Sequence, residues 1–160
     1  MAGDVIGTYG KNLWFSLDQA KYFTSFTLIA MLLGYIIGIV AIPKYISQEA
    51  SLKYGAILGV ILTLGAFLTS GTTAVGCIAL LGLANAPMWP AIFPLGINGL
   101  GRFIKIGSAI MIMGIAGGAI IPLIYGELSK AIGFQLAFLL TMVPCYLYVL
   151  YFAMRGHRAK

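Results

Sequence analysis

Long stretches without a charge constrain this chain more than any other feature. Four uncharged runs, residues 22–43, 54–101, 106–126 and 131–154, hold 22, 48, 21 and 24 residues. An α-helix needs about 20 apolar residues to cross a bilayer, because each residue adds about 1.5 Å to a path of about 30 Å. Three of the runs match one crossing each. The 48-residue run is long enough for two, and its polar segment Thr69-Ser70-Gly71-Thr72-Thr73 is the place for the chain to turn. The pattern predicts five transmembrane helices, near residues 22–42, 54–68, 74–97, 105–125 and 134–154. A transmembrane β-barrel is excluded, because its strands would show alternating segments of about ten residues instead.

Composition agrees with an all-α membrane protein. The 160 residues are 61% hydrophobic and 9% charged, against about 25% charged in a soluble domain. A water-soluble fold of this size has too little interior for so many apolar side chains, whereas lipid accepts them on the outside of every helix. The net charge of +6 does not read as nucleic-acid binding, since the Lys and Arg residues are dispersed between apolar runs and form no basic patch. They orient the helices instead. Lys44, Lys53, Arg102, Lys105, Arg155, Arg158 and Lys160 fall on one side of a five-span bundle, and Lys11, Lys21 and Lys130 on the other. Basic loops stay in the cytoplasm, which places the C-terminus inside and the N-terminus outside. Residues 1–10 are mildly apolar and too short to span, and they read as the tail of a helix that begins upstream. With that helix restored, six spans divide three plus three, as in transporters built from inverted repeats.

No enzyme constellation is visible. His157 is the only histidine and lies in the basic tail, and no set of His, Cys or acidic residues has metal-ligand spacing. Cys77 and Cys145 lie inside apolar runs without a CxxC pair and read as small packing residues. The glycine-rich stretch 114–118 lacks the lysine of a phosphate loop, so no cofactor is expected. Asp18, Glu49 and Glu127 fall in expected loops. Asp4 belongs to the helix remnant, and an acid at membrane depth is a functional candidate for a proton or a substrate hydroxyl.

Two features of the spans carry more information. Gly34 and Gly38, Gly55 and Gly59, and Gly114 and Gly118 each have GxxxG spacing, which lets helices approach closely in lipid and also slide. The third span, GLANAPMWPAIFPLGINGLG, carries Pro87, Pro90 and Pro94. Each proline removes a backbone donor, leaving the carbonyls of Leu83, Ala86 and Pro90 under-used, so this helix should bend or break. Such a kink either shapes the bundle or opens backbone groups to a water-filled cavity. Asn85 and Trp89, one turn apart, would share a face near the membrane midplane. An amide beside an aromatic ring suits a sugar, the amide bonding hydroxyls while the ring covers the apolar C–H face. Interhelical bonding by Asn85 and core packing by Trp89 is the other reading.

The run GLANAPMWPAIFPLGINGLGRFIKIGSAIMIMGIAGGAIIPLIYG closely resembles the tenth and eleventh helices of the fucose/proton symporter family of the major facilitator superfamily, especially its bacterial glucose/galactose permeases. GDVIGTYG and FTSFTLIAMLLGYIIGIVAIPKYIS resemble that family's seventh-helix end and eighth helix. The resemblance covers nearly all of this chain and less than half of a family member. It implies that residues 1–160 are part of a C-terminal six-helix domain: a remnant of the seventh helix, then helices eight to twelve. It further implies a hexose transporter of a bacterial inner membrane, working by alternating access with proton cotransport, its acids mainly in an N-terminal six-helix domain. Asn85, Pro87, Trp89 and Pro90 match the tenth-helix motif, with Gly3 and Asp4 as weaker matches. The superfamily's acidic and paired-arginine loop is reduced here to Pro43-Lys44-Tyr45. A five-helix assembly or interaction subunit without transport activity is the alternative.

A reporter fused after Lys160 tests the orientation. It should be active only in the cytoplasm, and activity confined to the cell exterior would reverse the topology.

Overall fold

The computed structural model describes residues 17–42 and 44–156. Residues 1–16, 43 and 157–160 lie outside this range, and with them Gly3, Asp4, Lys11, His157, Arg158 and Lys160. Among the described residues, five helical segments are long and apolar enough to cross a membrane: Thr24–Ala41, Gln48–Leu68, Thr72–Ile97, Gly101–Ile132 and Phe134–Met154. The first is part of helix α1, Leu17–Ala41, and the second is α2, Gln48–Leu68. The third is divided into α3, Thr72–Asn85, and α4, Met88–Ile97. The fourth begins with the 3-10 turn Gly101–Phe103, followed by α5, Ile104–Met113, a second 3-10 turn, Gly114–Ala116, and α6, Gly117–Ile132. The last is α7, Phe134–Met154.

Most boundaries follow the uncharged runs, and two do not. Helix α2 starts at Gln48, six residues before the apolar run. The Ser47 hydroxyl accepts a hydrogen bond from the Ala50 N–H at 3.2 Å, and Glu49 lies in the first turn, where the helix dipole favours an acid. The fourth span runs on to Ile132, with an exposed Glu127–Lys130 ion pair at 2.7 Å on its last turns. Asp18, Glu49 and Glu127, expected in loops, therefore all lie within helices. Hydropathy misses such extensions because helices continue past the hydrocarbon core into the polar interface. The expected turn at residues 69–73 is present, with α2 ending at Leu68 and α3 starting at Thr72. A single residue, Gly133, joins α6 to α7 with φ 85°, a left-handed conformation that disfavours any side chain.

Helix α2 is the hub: it packs on α3, α4 and α7, while α1 lies against α3 and α6 against α7. Two buried clusters fill the bundle. One gathers Ala66, Val75, Ile78, Leu81, Tyr125, Phe138, Met142 and Tyr146; the other gathers Leu52, Ala91, Leu95 and Ala153 at the opposite end of α2. The periphery is different. Tyr125 is the only buried residue between Gly101 and Ile132, and its ring meets Phe138 edge-on at 6.2 Å.

Lipid tails are as apolar as leucine, so helices associate by close packing rather than by escape from water. Glycines do this work at the centre. A Cβ on Gly34 would lie 2.9 Å from the Leu83 carbonyl oxygen, one on Gly55 would lie 3.0 Å from that of Ala84, and one on Gly82 would run into that of Thr27. A Cβ on Gly59 would enter the Tyr146 ring, 2.6 Å from Cδ1. The first two GxxxG pairs are thus packing surfaces, although Gly38 is in looser contact, 3.7 Å from Pro87 Cβ. The third pair is not one among the described residues, where a Cβ on Gly114 or Gly118 would meet nothing within 4 Å.

The contrast is measurable. Gly82→Ala should lower stability by about 1–3 kcal/mol, the usual range for overpacking against an unyielding neighbour, whereas Gly118→Ala should be neutral or slightly stabilising. Thermal unfolding of both variants in detergent checks this, and equal midpoints would contradict the packing described.

Candidate functional site

The three prolines divide the third span at one place. Helix α3 ends at Asn85, and Ala86 and Pro87 keep right-handed dihedrals, Pro87 with φ −77° and ψ −8°, before α4 begins at Met88. Pro87 has no N–H to offer the Leu83 carbonyl. Pro90 lies in the first turn of α4, where the missing donor does no harm, and Pro94 lies inside α4. The sequence expectation of a bent or broken helix thus resolves into a break at residues 86–87. Around it, Ala86 N–H donates to the Gly82 carbonyl at 3.1 Å and Ala91 N–H to the Pro87 carbonyl at 3.2 Å.

Asn85, at the end of α3, is half-buried and faces α7. Its Oδ1 accepts a hydrogen bond from the Tyr146 hydroxyl at 2.9 Å. This is the sole hydrogen bond to the Asn85 side chain among the described residues. The pair forms the polar part of a cavity of about 320 Å³, walled by Met88 of α4, Gly114, Gly117, Gly118 and Ile121 of the fourth span, and Met142, Cys145 and Val149 of α7. That volume is at the lower end of ligand sites, which run from about 300 to 1,000 Å³. A largely apolar wall with a few polar groups is also their usual composition.

Trp89 lies elsewhere. It is 44% exposed and pairs with Phe93 at 5.8 Å between ring centroids, outside the walls of the Asn85 cavity. The interruption at residues 86–87 lies between the two side chains, with α4 restarting at Met88. Pro87 and Pro90 line a second cavity of about 310 Å³, with Tyr35, Gly38, Ile39 and Ile42 of the α1 end and Gln48 of α2. Asp4 and Gly3 lie outside the described residues.

Three participants escaped the sequence reading. Tyr146 has no mark of its own in an apolar run; only its partner across the bundle gives it a role. The break in the fourth span had a signal in Gly114, Gly117 and Gly118 followed by Pro122, which denies a donor to the Gly118 carbonyl. Gln135 reaches from α7 to the Thr69 carbonyl at 3.3 Å and ties the α2–α3 turn to α7. Among the described residues no group of His, Cys, Asp and Glu is placed to hold a metal ion.

The bundle matches a known architecture. The solved structure of the major facilitator superfamily transporter FucP, in its outward conformation, superposes on 98% of this chain with a TM-score of 0.83 and 22% identity; the match covers 39% of that protein. In sequence, 89% of the chain is 38% identical to the glucose/galactose transporter of Brucella abortus biovar 1 (strain 9-941), of which it covers 34%. It is also 29% identical, over 71% of its length, to the L-fucose-proton symporter of Escherichia coli (strain K12), covering 26% of that protein. The chain is similar in sequence to glucose/galactose transporters and to an L-fucose-proton symporter, and it has the major facilitator fold. No protein-family model matches it. The matches lie in the C-terminal part of the relatives, and the chain spans about a third of the length of the first of them.

The resemblance read from the tenth- and eleventh-helix motifs is therefore correct, as is the membrane-spanning major facilitator fold. Its relatives are transporters and not enzymes. In the major facilitator frame, the Asn85 cavity lies among the last three spans.

Proposed function

We propose that this chain forms helices eight to twelve, with a remnant of the seventh, of the C-terminal domain of a secondary active sugar transporter. The substrate is a hexose such as glucose, galactose or fucose, and the transporter works by alternating access with an N-terminal six-helix domain as its other half. The 38% identity over 89% of the chain to a protein named as a glucose/galactose transporter carries this reading. The interrupted third span beside an amide-bearing cavity supports it, since broken helices at a binding site are a recurring device of transporters. The bacterial inner membrane is the proposed location, with the C-terminus in the cytoplasm, in keeping with the basic residues grouped on that side.

Asn85 supplies amide hydrogen bonds to sugar hydroxyls, and Trp89, exposed beyond the break, offers an aromatic platform along the path toward the N-terminal domain. Pro87, Pro90 and Pro94 provide the discontinuity. Proton coupling rests on the name of the Escherichia coli relative. No carboxylate lines the Asn85 cavity among the described residues, so the coupling acid is assigned to Asp4 or to the N-terminal domain. No observation favours an assembly subunit.

The test is a chimera in which this chain replaces the matching C-terminal third of the Brucella transporter. Saturable glucose or galactose uptake by the chimera, and none by the 160-residue polypeptide alone in liposomes, is the expected result. Asn85→Leu should weaken apparent affinity about five- to thirty-fold, equivalent to roughly 1–2 kcal/mol, and Trp89→Ala should also weaken it. Uptake by the polypeptide alone, or parental affinity in both variants at normal membrane abundance, would overturn the proposal.

A further inference from the structure

The Asn85–Tyr146 bond orients the amide. An amide offers a carbonyl oxygen, an acceptor, and an NH2 group with two donors, and a free side chain can rotate to present either. Here the Tyr146 hydroxyl donates to Oδ1 at 2.9 Å. That bond uses one of the two lone pairs of Oδ1 and holds the amide plane, which turns the NH2 group away from the phenol. Tyr146 is itself held in place: it is 4% exposed, belongs to the main buried cluster, and its ring covers Gly59, where a Cβ would lie 2.6 Å from Cδ1 and 2.7 Å from Cζ. Gly59 is thus the seat that lets α7 bring the phenol up to α3. Opposite the pair the wall is smooth, because a Cβ on Gly114, Gly117 or Gly118 would meet nothing within 4 Å among the described residues. Among the described residues, the cavity thus combines an oriented amide with a glycine wall free of side chains.

We propose that Tyr146 is a positioning residue for substrate recognition: it locks Asn85 as a hydrogen-bond donor to an oxygen of the sugar, with Gly59 as the seat of the tyrosine ring. This rests on the reading of Asn85 as a sugar contact. It adds a residue from the last span and fixes the polarity of the contact, so that the subsite accepts a sugar hydroxyl or ring oxygen through that oxygen's lone pair. A sugar analogue with the contacted hydroxyl replaced by hydrogen has no acceptor for the amide and should not distinguish the parent from an Asn85 variant. A fluorine in the same place retains a weak acceptor and should be bound at an intermediate level.

The experiment uses the same chimera and measures glucose and galactose uptake for Tyr146→Phe, Asn85→Leu and the double variant. Tyr146→Phe keeps the ring over Gly59 and removes only the hydroxyl. It should raise KM about two- to ten-fold, the range of one lost hydrogen bond, with little change in kcat. The double variant should be no worse than Asn85→Leu alone, because the tyrosine acts through the amide. Gly59→Ala, which pushes the ring aside with the hydroxyl still present, should show the same KM effect and serves as the second route if Tyr146→Phe reaches the membrane poorly. If Asn85→Leu raises KM while Tyr146→Phe and Gly59→Ala leave it unchanged, Tyr146 only packs and this inference is overturned. Additive effects in the double variant overturn it as well. If Asn85→Leu itself leaves KM unchanged, the sugar contact at Asn85 fails, and the proposal built on it fails with it.

Discussion

Backbone carbonyls packed against glycines hold this bundle together. Gly34 of α1 faces the Leu83 carbonyl, Gly55 of α2 faces that of Ala84, and Gly82 of α3 faces that of Thr27 in α1. Helix backbones this close gain dispersion along their length and admit weak Cα–H···O contacts, which suit a solvent that offers no hydrophobic drive. Leu83 is also the residue whose carbonyl Pro87 deprives of its helical donor. The helix is therefore clamped by two neighbours just before it breaks. Asn85 follows directly, and its position is set by α1, α2 and the Tyr146 bond rather than by an unbroken helix running through the site.

The two ends of the third span consequently have different surroundings. Helix α3 is packed on both sides, with Ala74, Val75, Ile78, Leu81, Gly82 and Ala84 buried, whereas α4 buries only Ala91 and Leu95. The fourth span is interrupted too, at Gly114–Ala116, and this second break fronts the same cavity as Asn85. Two discontinuous helices thus flank one amide. At both interruptions the backbone keeps partners within the chain: Ala86 N–H donates to the Gly82 carbonyl, Ala91 N–H to that of Pro87 and Gly117 N–H to that of Gly114.

The fold was legible because its main constraint is length. Uncharged runs of 21 to 24 residues can do little in water and cross a bilayer well, so five spans, the turn at residues 69–73 and the break near Pro87 were all readable in order. Polar helix extensions were not, since Glu49, Glu127 and Lys130 look like loop residues until Ser47 is seen to cap α2 and the Glu127–Lys130 pair is seen on α6. Glycine spacing alone also could not separate the packed pairs from Gly114 and Gly118, which depend on what lies opposite. The site was half legible. Asn85 stood out as an amide in an apolar run, but its partner Tyr146 lies 61 residues away, and Trp89, expected on the same face, lies outside the Asn85 cavity with the interruption at residues 86–87 between the two.

The central claim is that the cavity between the last three spans, with Asn85 at its wall, is on the sugar path. Cys145 lines that same cavity, which provides a direct probe. In the chimera, with Cys77→Ala and the other cysteines removed, the rate at which N-ethylmaleimide alkylates Cys145 can be followed in membranes with and without glucose or galactose. Slower alkylation in the presence of a transported sugar, and no slowing by a hexose that is not transported, is the expected result. Alkylation at the same rate under all conditions, in a chimera whose sugar uptake is intact, would contradict the claim and place the path elsewhere.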